Sequence, residues 1–235
     1  MDDSKNMKLQ IVSTLKEKAV AKQIAYDETE EAFKVLKQIL AEITEEYNKD
    51  LEGADKRIMM EFIDRGAFEA ELKVAGDLLI FNMHSNIFKF DYGHPIWRNS
   101  EAKEEPIKSY SGIISIFNFI ADSFKYDRLD DLGYLIGRIF INMEGDFFVE
   151  GRRELGFFFP AFGRNHVNYH NMKKLVESAI SYILKFDILV PPYEDVKIIS
   201  VDTMKQKINS SKIKTAKRLG FAYNVDLDRA TELDD

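Results

Sequence analysis

The spacing of hydrophobic residues changes along this chain, and each change predicts a different kind of element. Residues 7–51 are typical of a helix, and within them 28–48 carry apolar side chains at intervals of three and four. Residues 57–84 contain three short apolar segments separated by the turn sequences DRG and AGD. The middle segment, FEAELKV (68–74), alternates strictly between apolar and charged residues, which predicts a half-buried strand. These segments together predict an antiparallel meander, and NIFKFD (86–91) is a candidate further strand.

The second half of the chain predicts a hairpin followed by a helix. GYLIGRIFIN (133–142) and FFVEG (147–151) are apolar segments joined by the turn sequence MEGD. Residues 171–186 have the clearest apolar stripe in the sequence, and we expect this helix to pack against the sheet. The residues of the stripe that we expect to be buried are Leu175, Val176, Ala179, Ile180 and Ile183.

Segment 111–125, SGIISIFNFIADSFK, fits a helix and a strand. Its density of Ile and Phe suits a strand. Its apolar residues also recur at a helical period for three turns, which favours a helix. The helix is our interpretation. The residues of that face are Ile113, Ile116, Phe117, Ile120 and Phe124.

The order of elements predicts an α+β fold: an antiparallel meander and hairpin, with a long N-terminal helix and a C-terminal helix packed on the sheet. We divide the chain into an N-terminal helical segment (1–51), an α+β domain (52–200) and a charged C-terminal segment (201–235). The last segment begins with a basic stretch (205–218) and ends in an acidic tail. Residues 196–200 are a candidate short strand.

The N-terminal helix contains a seam of heptad type. The seam has two interpretations: it packs on the sheet of its own chain, or it forms a homodimer. Asp27 and Glu30 have the spacing of a capping box, which predicts a break in the helix near residue 27. The seam residues are Phe33, Leu36, Leu40, Ile43 and Tyr47.

Composition narrows the classes of function. The chain has 235 residues and a net charge of −7, which disfavours binding of a phosphate backbone by the whole surface. It contains no cysteine, so disulfides, thiolate nucleophiles and cysteine-ligated zinc are excluded. No apolar run approaches the length of a membrane span, and the N-terminus does not resemble a signal peptide. We therefore expect a cytoplasmic protein that needs no cofactor.

The sequence GRNHVNYH (163–170) contains the main candidate for chemistry. An arginine, a polar residue and a following histidine resemble the motif of HEPN-type ribonucleases, a family of all-helical bundles that need no metal. The resemblance covers only these few residues. It implies that His170 acts as general acid and base while Arg164 steadies the phosphate. Arg164 and Asn165 are also candidate anion-binding residues at a helix start. The alternative is a polar loop in which Asn168 or Asn171 caps the next helix.

Two further sets of residues suggest metal sites. Asp64, Glu71 and Lys73 resemble the core of restriction-type nucleases, in which carboxylates hold Mg²⁺. Glu71 and Lys73 also belong to the polar face of an amphipathic strand, which accounts for them without a metal. His166 and His170 have a spacing seen in metal pairs, but they precede the helix and have no third ligand nearby in sequence. We therefore expect no metal site.

Three functions remain open. The acidic charge, the 18 phenylalanines and the absence of a strong catalytic motif favour a non-catalytic interaction or regulatory module. Its partner would be a protein, including a second copy of this chain. The second function is the metal-independent ribonuclease, with RNA as substrate. The third is a small-molecule sensor with a pocket between the sheet and the helix at 171–186.

Overall fold

The computed structural model describes residues 2–91, 93–94, 105–129, 131–151, 154–160, 163–185, 188–189 and 221–222. The candidate strand at 196–200, the basic stretch 205–218 and the acidic tail lie outside the described residues.

A helical segment runs from residue 2 to residue 50. It consists of α1 (Asp2–Thr14), a π-helical turn (Leu15–Ala19) and α2 (Val20–Asp50). The expected break near Asp27 is wrong, because Ala25 and Thr29 on either side of it are fully buried against the fold. Burial of the same helix face before and after Asp27 keeps α2 continuous. The helix geometry changes instead at the π turn, where no side chain is buried.

Six strands form one antiparallel sheet in which every strand pairs with its neighbours in sequence. This arrangement confirms the α+β fold, the meander and the hairpin. Part of the segment that begins at residue 57 is a 3-10 turn (Lys56–Ile58), and the expected strand at 86–91 is reduced to one bridge between Phe88 and Ser111. The strands are β1 (Glu61–Asp64), β2 (Glu69–Val74), β3 (Asp77–Met83), β4 (Ser111–Ile120), β5 (Tyr134–Asn142) and β6 (Phe147–Gly151).

The interpretation of 111–125 as a helix is wrong. Residues 111–120 form β4, which pairs with β3 and β5, and only Ala121–Lys125 are helical (α3). Ile114 and Ile116 point into the main core, while Ile113 packs on the opposite face beside Phe140 and Phe148. A central strand with apolar side chains on both faces does not alternate between apolar and polar residues. Some of its many apolar residues then fall at helical spacing by chance, which explains the wrong interpretation.

The remaining described elements follow β6. Two short helical and loop segments lead to the C-terminal helix, which packs on the sheet beside α2. Two-residue strands then form a separate parallel pair. These elements are α4 (Glu154–Phe158), α5 (Tyr169–Lys185), β7 (Ile188–Leu189) and β8 (Phe221–Ala222).

One hydrophobic core joins α2 and α5 to a single face of the sheet. The interpretation of the heptad seam as a dimer interface is wrong, because its residues lie in this core and not on the surface. Phe33 is 1% exposed, and Leu36 and Leu40 are fully buried. The alternative, a helix that packs on its own sheet, is confirmed. The expected burial of α5 is also confirmed for all five residues: Leu175, Val176, Ala179, Ile180 and Ile183.

Polar contacts at the rim of the core tie α5 to α2. The Tyr47 hydroxyl donates to the Glu177 carboxylate at 3.0 Å, and the Lys173 ammonium lies 2.8 Å from the Glu46 carboxylate. Burial, together with the hydrogen bond to Glu177, raises the pKa of Tyr47 to about 12. The phenol therefore stays protonated and remains a donor at neutral pH. These contacts orient α5, whose first turn follows the candidate loop.

Candidate functional site

The loop at 163–168 is attached to the turn between β5 and β6. The amide of Phe147 donates to the carbonyl of Asn165, and the amide of Val167 donates to the carbonyl of Gly145, each at 2.8 Å. His166 forms an isolated bridge with Asp146, and its Nδ1 lies 3.2 Å from the Asp146 carboxylate. The loop thus covers the outer edge of β6 and satisfies backbone groups that an edge strand would otherwise leave unpaired.

Gly145 permits this close approach. Its backbone has a φ of +72°, a conformation that side chains with a Cβ rarely adopt, and a Cβ here would lie 2.9 Å from the His166 ring. The sequence does not indicate that Gly145 and Asp146 contact this loop. The turn sequence MEGD was their only signal, and it does not reveal which distant segment packs on it.

The asparagines of the loop cap α5. The Asn168 side chain accepts a hydrogen bond from the Asn171 amide at 2.9 Å, which confirms the capping alternative. The side-chain amides of Asn168 and Asn171 both donate to the His166 carbonyl, at 3.0 and 2.9 Å. A cap of this kind stabilises a helix by about 1 kcal/mol. Most of the polar side chains in this stretch therefore serve the architecture of the loop.

Arg164 and His170 have no such structural role. Both side chains are exposed, and in the described part of the chain Arg164 forms no ion pair or hydrogen bond. The backbone carbonyl of Asn165 accepts a hydrogen bond from the amide of Phe147. The side-chain nitrogen of Asn165 is buried without a partner among the described residues. The structure also differs from the all-helical bundle that the HEPN resemblance implies, because its centre is a six-stranded sheet. Ribonuclease activity and anion binding at this loop stay predictions.

The candidate nuclease residues do not meet. Asp64 lies opposite Ala70 in the sheet register and therefore points to the helix-covered face, where it pairs with Lys37 at 3.0 Å. Glu71 and Lys73 belong to the other face. Glu71 is paired with an arginine and Lys73 with a glutamate, at 2.9 and 3.7 Å. A shared magnesium site at these three residues is thus incompatible with the register.

Among the described residues, the histidines and the core do not offer the sites that the metal and sensor hypotheses require. Within the described ranges, no three potential metal ligands come together. The described face of α5, where the sensor hypothesis places a pocket, is filled by core side chains. An open pocket of about 510 Å³ lies elsewhere, between α2 and the loop after β3. Its lining residues are Lys22, Gln23, Tyr26, Ser85, Asn86 and Ile87.

The helical arm, defined as residues 5–20, is a surface of the described structure that lies outside the hydrophobic core. Every side chain in it is exposed except that of Ala19, which is intermediate. Met7, Ile11 and Leu15 are 64%, 54% and 57% exposed. Their spacing of four places them along one side of the helix. The arm therefore presents an apolar stripe that its own fold does not cover.

The arm differs in charge from the helix that follows it. The arm, residues 5–20, contains four lysines and a single acidic residue, Glu17, so its net charge is +3. Residues 21–50 contain eight acidic residues and four lysines, so their net charge is −4. The long helix is thus basic at its start and acidic over the rest of its length.

Comparisons with protein families, with curated proteins and with solved structures find no match for this chain. Among the residues that the structure describes, no helix has an apolar stretch long enough to cross a membrane.

Proposed function

We propose that this protein is a non-catalytic interaction module and that the helical arm is its contact surface. The observation that supports the proposal is the exposed apolar stripe of Met7, Ile11 and Leu15 on a helix that leaves the core. The arm continues into α2, but helices in proteins gain most of their stability from packing of an apolar face, and the stripe packs on nothing in the described part of its own fold. A partner that covers the stripe would supply that packing.

The loop at 163–170 supports the same conclusion. Its asparagines and His166 hold it to the β5–β6 turn and to α5. Catalysis by the HEPN-type mechanism needs a histidine and an arginine fixed around one phosphate. Arg164 and His170 are exposed and are not positioned by contacts among the described residues. The arm is therefore a better candidate for the functional surface than the loop.

Photo-crosslinking inside cells tests the proposal. A benzophenone amino acid at Ile11, on the stripe, is expected to give discrete crosslinked products in cells that express the chain. Position 13 is the matched control, because two residues on a helix are about 200° apart and Ser13 therefore faces away from Ile11. Equal products from both positions, or none from either, would show that the stripe is not a specific contact surface.

A ribonuclease assay tests the catalytic alternative directly. Purified protein is expected to leave RNA intact in the absence of metal, since nothing in the described site positions Arg164 or His170. If the wild-type protein cleaves RNA, and Arg164→Ala and His170→Ala abolish cleavage without lowering the melting temperature, the non-catalytic proposal is wrong.

A further inference from the structure

We propose that the partner of the arm is a second copy of this chain, and that two arms pair antiparallel about a two-fold axis between Glu17 and Lys18. This inference rests on the proposed function, because it names the partner of the same surface. It differs from the heptad seam, which is buried inside each chain. The contact uses the exposed side of the arm together with the first three turns of α2.

The charge pattern determines the orientation. In a parallel pair, each residue faces its own counterpart, so Lys5 and Lys8 would meet lysines, and Asp27 and Glu31 would meet acids. An antiparallel pair brings the basic start of one helix beside the acidic part of the other. Like charges that face each other across a helix pair are unfavourable, and opposite charges set orientation in coiled coils. All four side chains are exposed and accessible to a partner.

The apolar residues fit the same register. With the axis between Glu17 and Lys18, Leu15 faces Val20 of the second copy, and Ile11 faces Ile24. Val20 is 48% exposed and Ile24 is half-buried, so both offer apolar surface outside the core. In that register Lys8 faces Asp27.

The register is reciprocal about its axis, as a two-fold interface requires, because the same patch is used by both copies: Leu15 of each copy faces Val20 of the other. Glu17 lies outside this contact, since it accepts a hydrogen bond from Ser13 at 3.1 Å on the side of the helix away from the stripe. The π-helical turn Leu15–Ala19 surrounds the axis, and such turns occur frequently at functional sites. The paired region, residues 4–31, spans about 42 Å of helix and leaves the two folded bodies at opposite ends.

Sedimentation of the purified full-length chain tests the pairing. The wild type is expected to shift from monomer to dimer as its concentration rises through the micromolar range. In this register Lys8 faces Asp27 and Lys5 faces position 30, next to Glu31, so Lys5→Glu with Lys8→Glu places acids beside the acids of the partner and is expected to weaken the dimer by more than about tenfold. Because both lysines are exposed, the melting temperature of the body should not change.

The reverse substitutions provide the decisive experiment. Asp27→Lys with Glu31→Lys should also weaken the dimer, and all four substitutions in one chain should restore it. The matched control is Lys49→Glu with Lys56→Glu, an equal charge change at exposed positions outside the paired region, which should leave the mass unchanged.

Three results would overturn the antiparallel dimer: a monomer at every concentration, a dimer insensitive to both pairs of substitutions, and a weakened dimer that the fourfold variant does not restore. The crosslinking experiment separates this failure from failure of the proposed function. If the protein is monomeric but a benzophenone at Ile11 still crosslinks to a different protein, the arm remains a contact surface. Only the proposal that its partner is a second copy is then wrong.

Discussion

Leu40→Glu is expected to unfold the protein. Leu40 is fully buried in the core that α2 shares with the sheet. The substitution removes a packed side chain, which costs about 2–5 kcal/mol, and introduces a carboxylate without a partner, which costs several more. The sum is comparable to the whole stability of an ordinary domain, which is about 5–15 kcal/mol. Loss of the cooperative thermal transition and of near-ultraviolet circular dichroism would show this.

Gln38→Glu is the matched control for Leu40→Glu, because it adds the same charge to an exposed position of the same helix. It replaces the hydrogen bond from Gln38 to Glu42 with a like-charge pair four residues apart, which is expected to cost about 0.2–0.5 kcal/mol, far less than the change at Leu40. A folded Leu40→Glu protein with a lower mass than the wild type would contradict the structure, since it would mean that the heptad seam is an interface between chains.

Gly112→Ala is expected to destabilise the protein by about 1–3 kcal/mol or more, although it adds one methyl group. Gly112 lies in β4 where α2 crosses the sheet, and a Cβ at this position would overlap the side chain of Thr29. Thr29 is fully buried, and its hydroxyl donates to the Ala25 carbonyl at 2.6 Å. The side chain therefore cannot move away into solvent. Chemical denaturation measures the change.

Gly137→Ala is the matched control for the clash at Gly112. Gly137 lies on the neighbouring strand, and a Cβ there would meet its nearest neighbours at 3.7 Å, an ordinary contact. This variant should be as stable as the wild type or slightly more stable. Thr29→Ala removes the hydroxyl and methyl that oppose Gly112, so it should recover part of the loss in the double variant. Equal stabilities of Gly112→Ala and Gly137→Ala would mean that α2 does not cross β4 as described.

The sequence predicted elements whose two faces differ. FEAELKV (68–74) alternates because one face of β2 contacts the core and the other carries charges, and α5 shows a stripe for the same reason. β4 was misinterpreted because both of its faces are apolar, so its residues carry no period. The break at Asp27 was misinterpreted because a capping box is a local signal, whereas burial of Ala25 and Thr29 is a tertiary effect.

The surfaces were less predictable than the elements. A heptad seam has the same spacing of apolar residues whether it packs on its own sheet or on another chain. The sequence therefore could not decide the role of Leu36 and Leu40. The pattern also gave no reason to separate Ile11 and Leu15 from the rest of the helix. Only the structure shows that the body ends before them. The change from basic to acidic residues along the helix was visible in the sequence and could have distinguished the arm from α2.

The distance between spin labels at positions 10 and 38 tests most directly whether the arm lies outside its own fold. The chain has no cysteine, so Gln10→Cys and Gln38→Cys give two unique labelling sites on exposed positions of the long helix. Dilution with unlabelled protein removes distances between copies. A helix that continues past the π turn predicts one distance near 42 Å, at about 1.5 Å per residue. A much shorter or broadly distributed distance would show that the arm folds back or unwinds, and would contradict its assignment as a free contact surface.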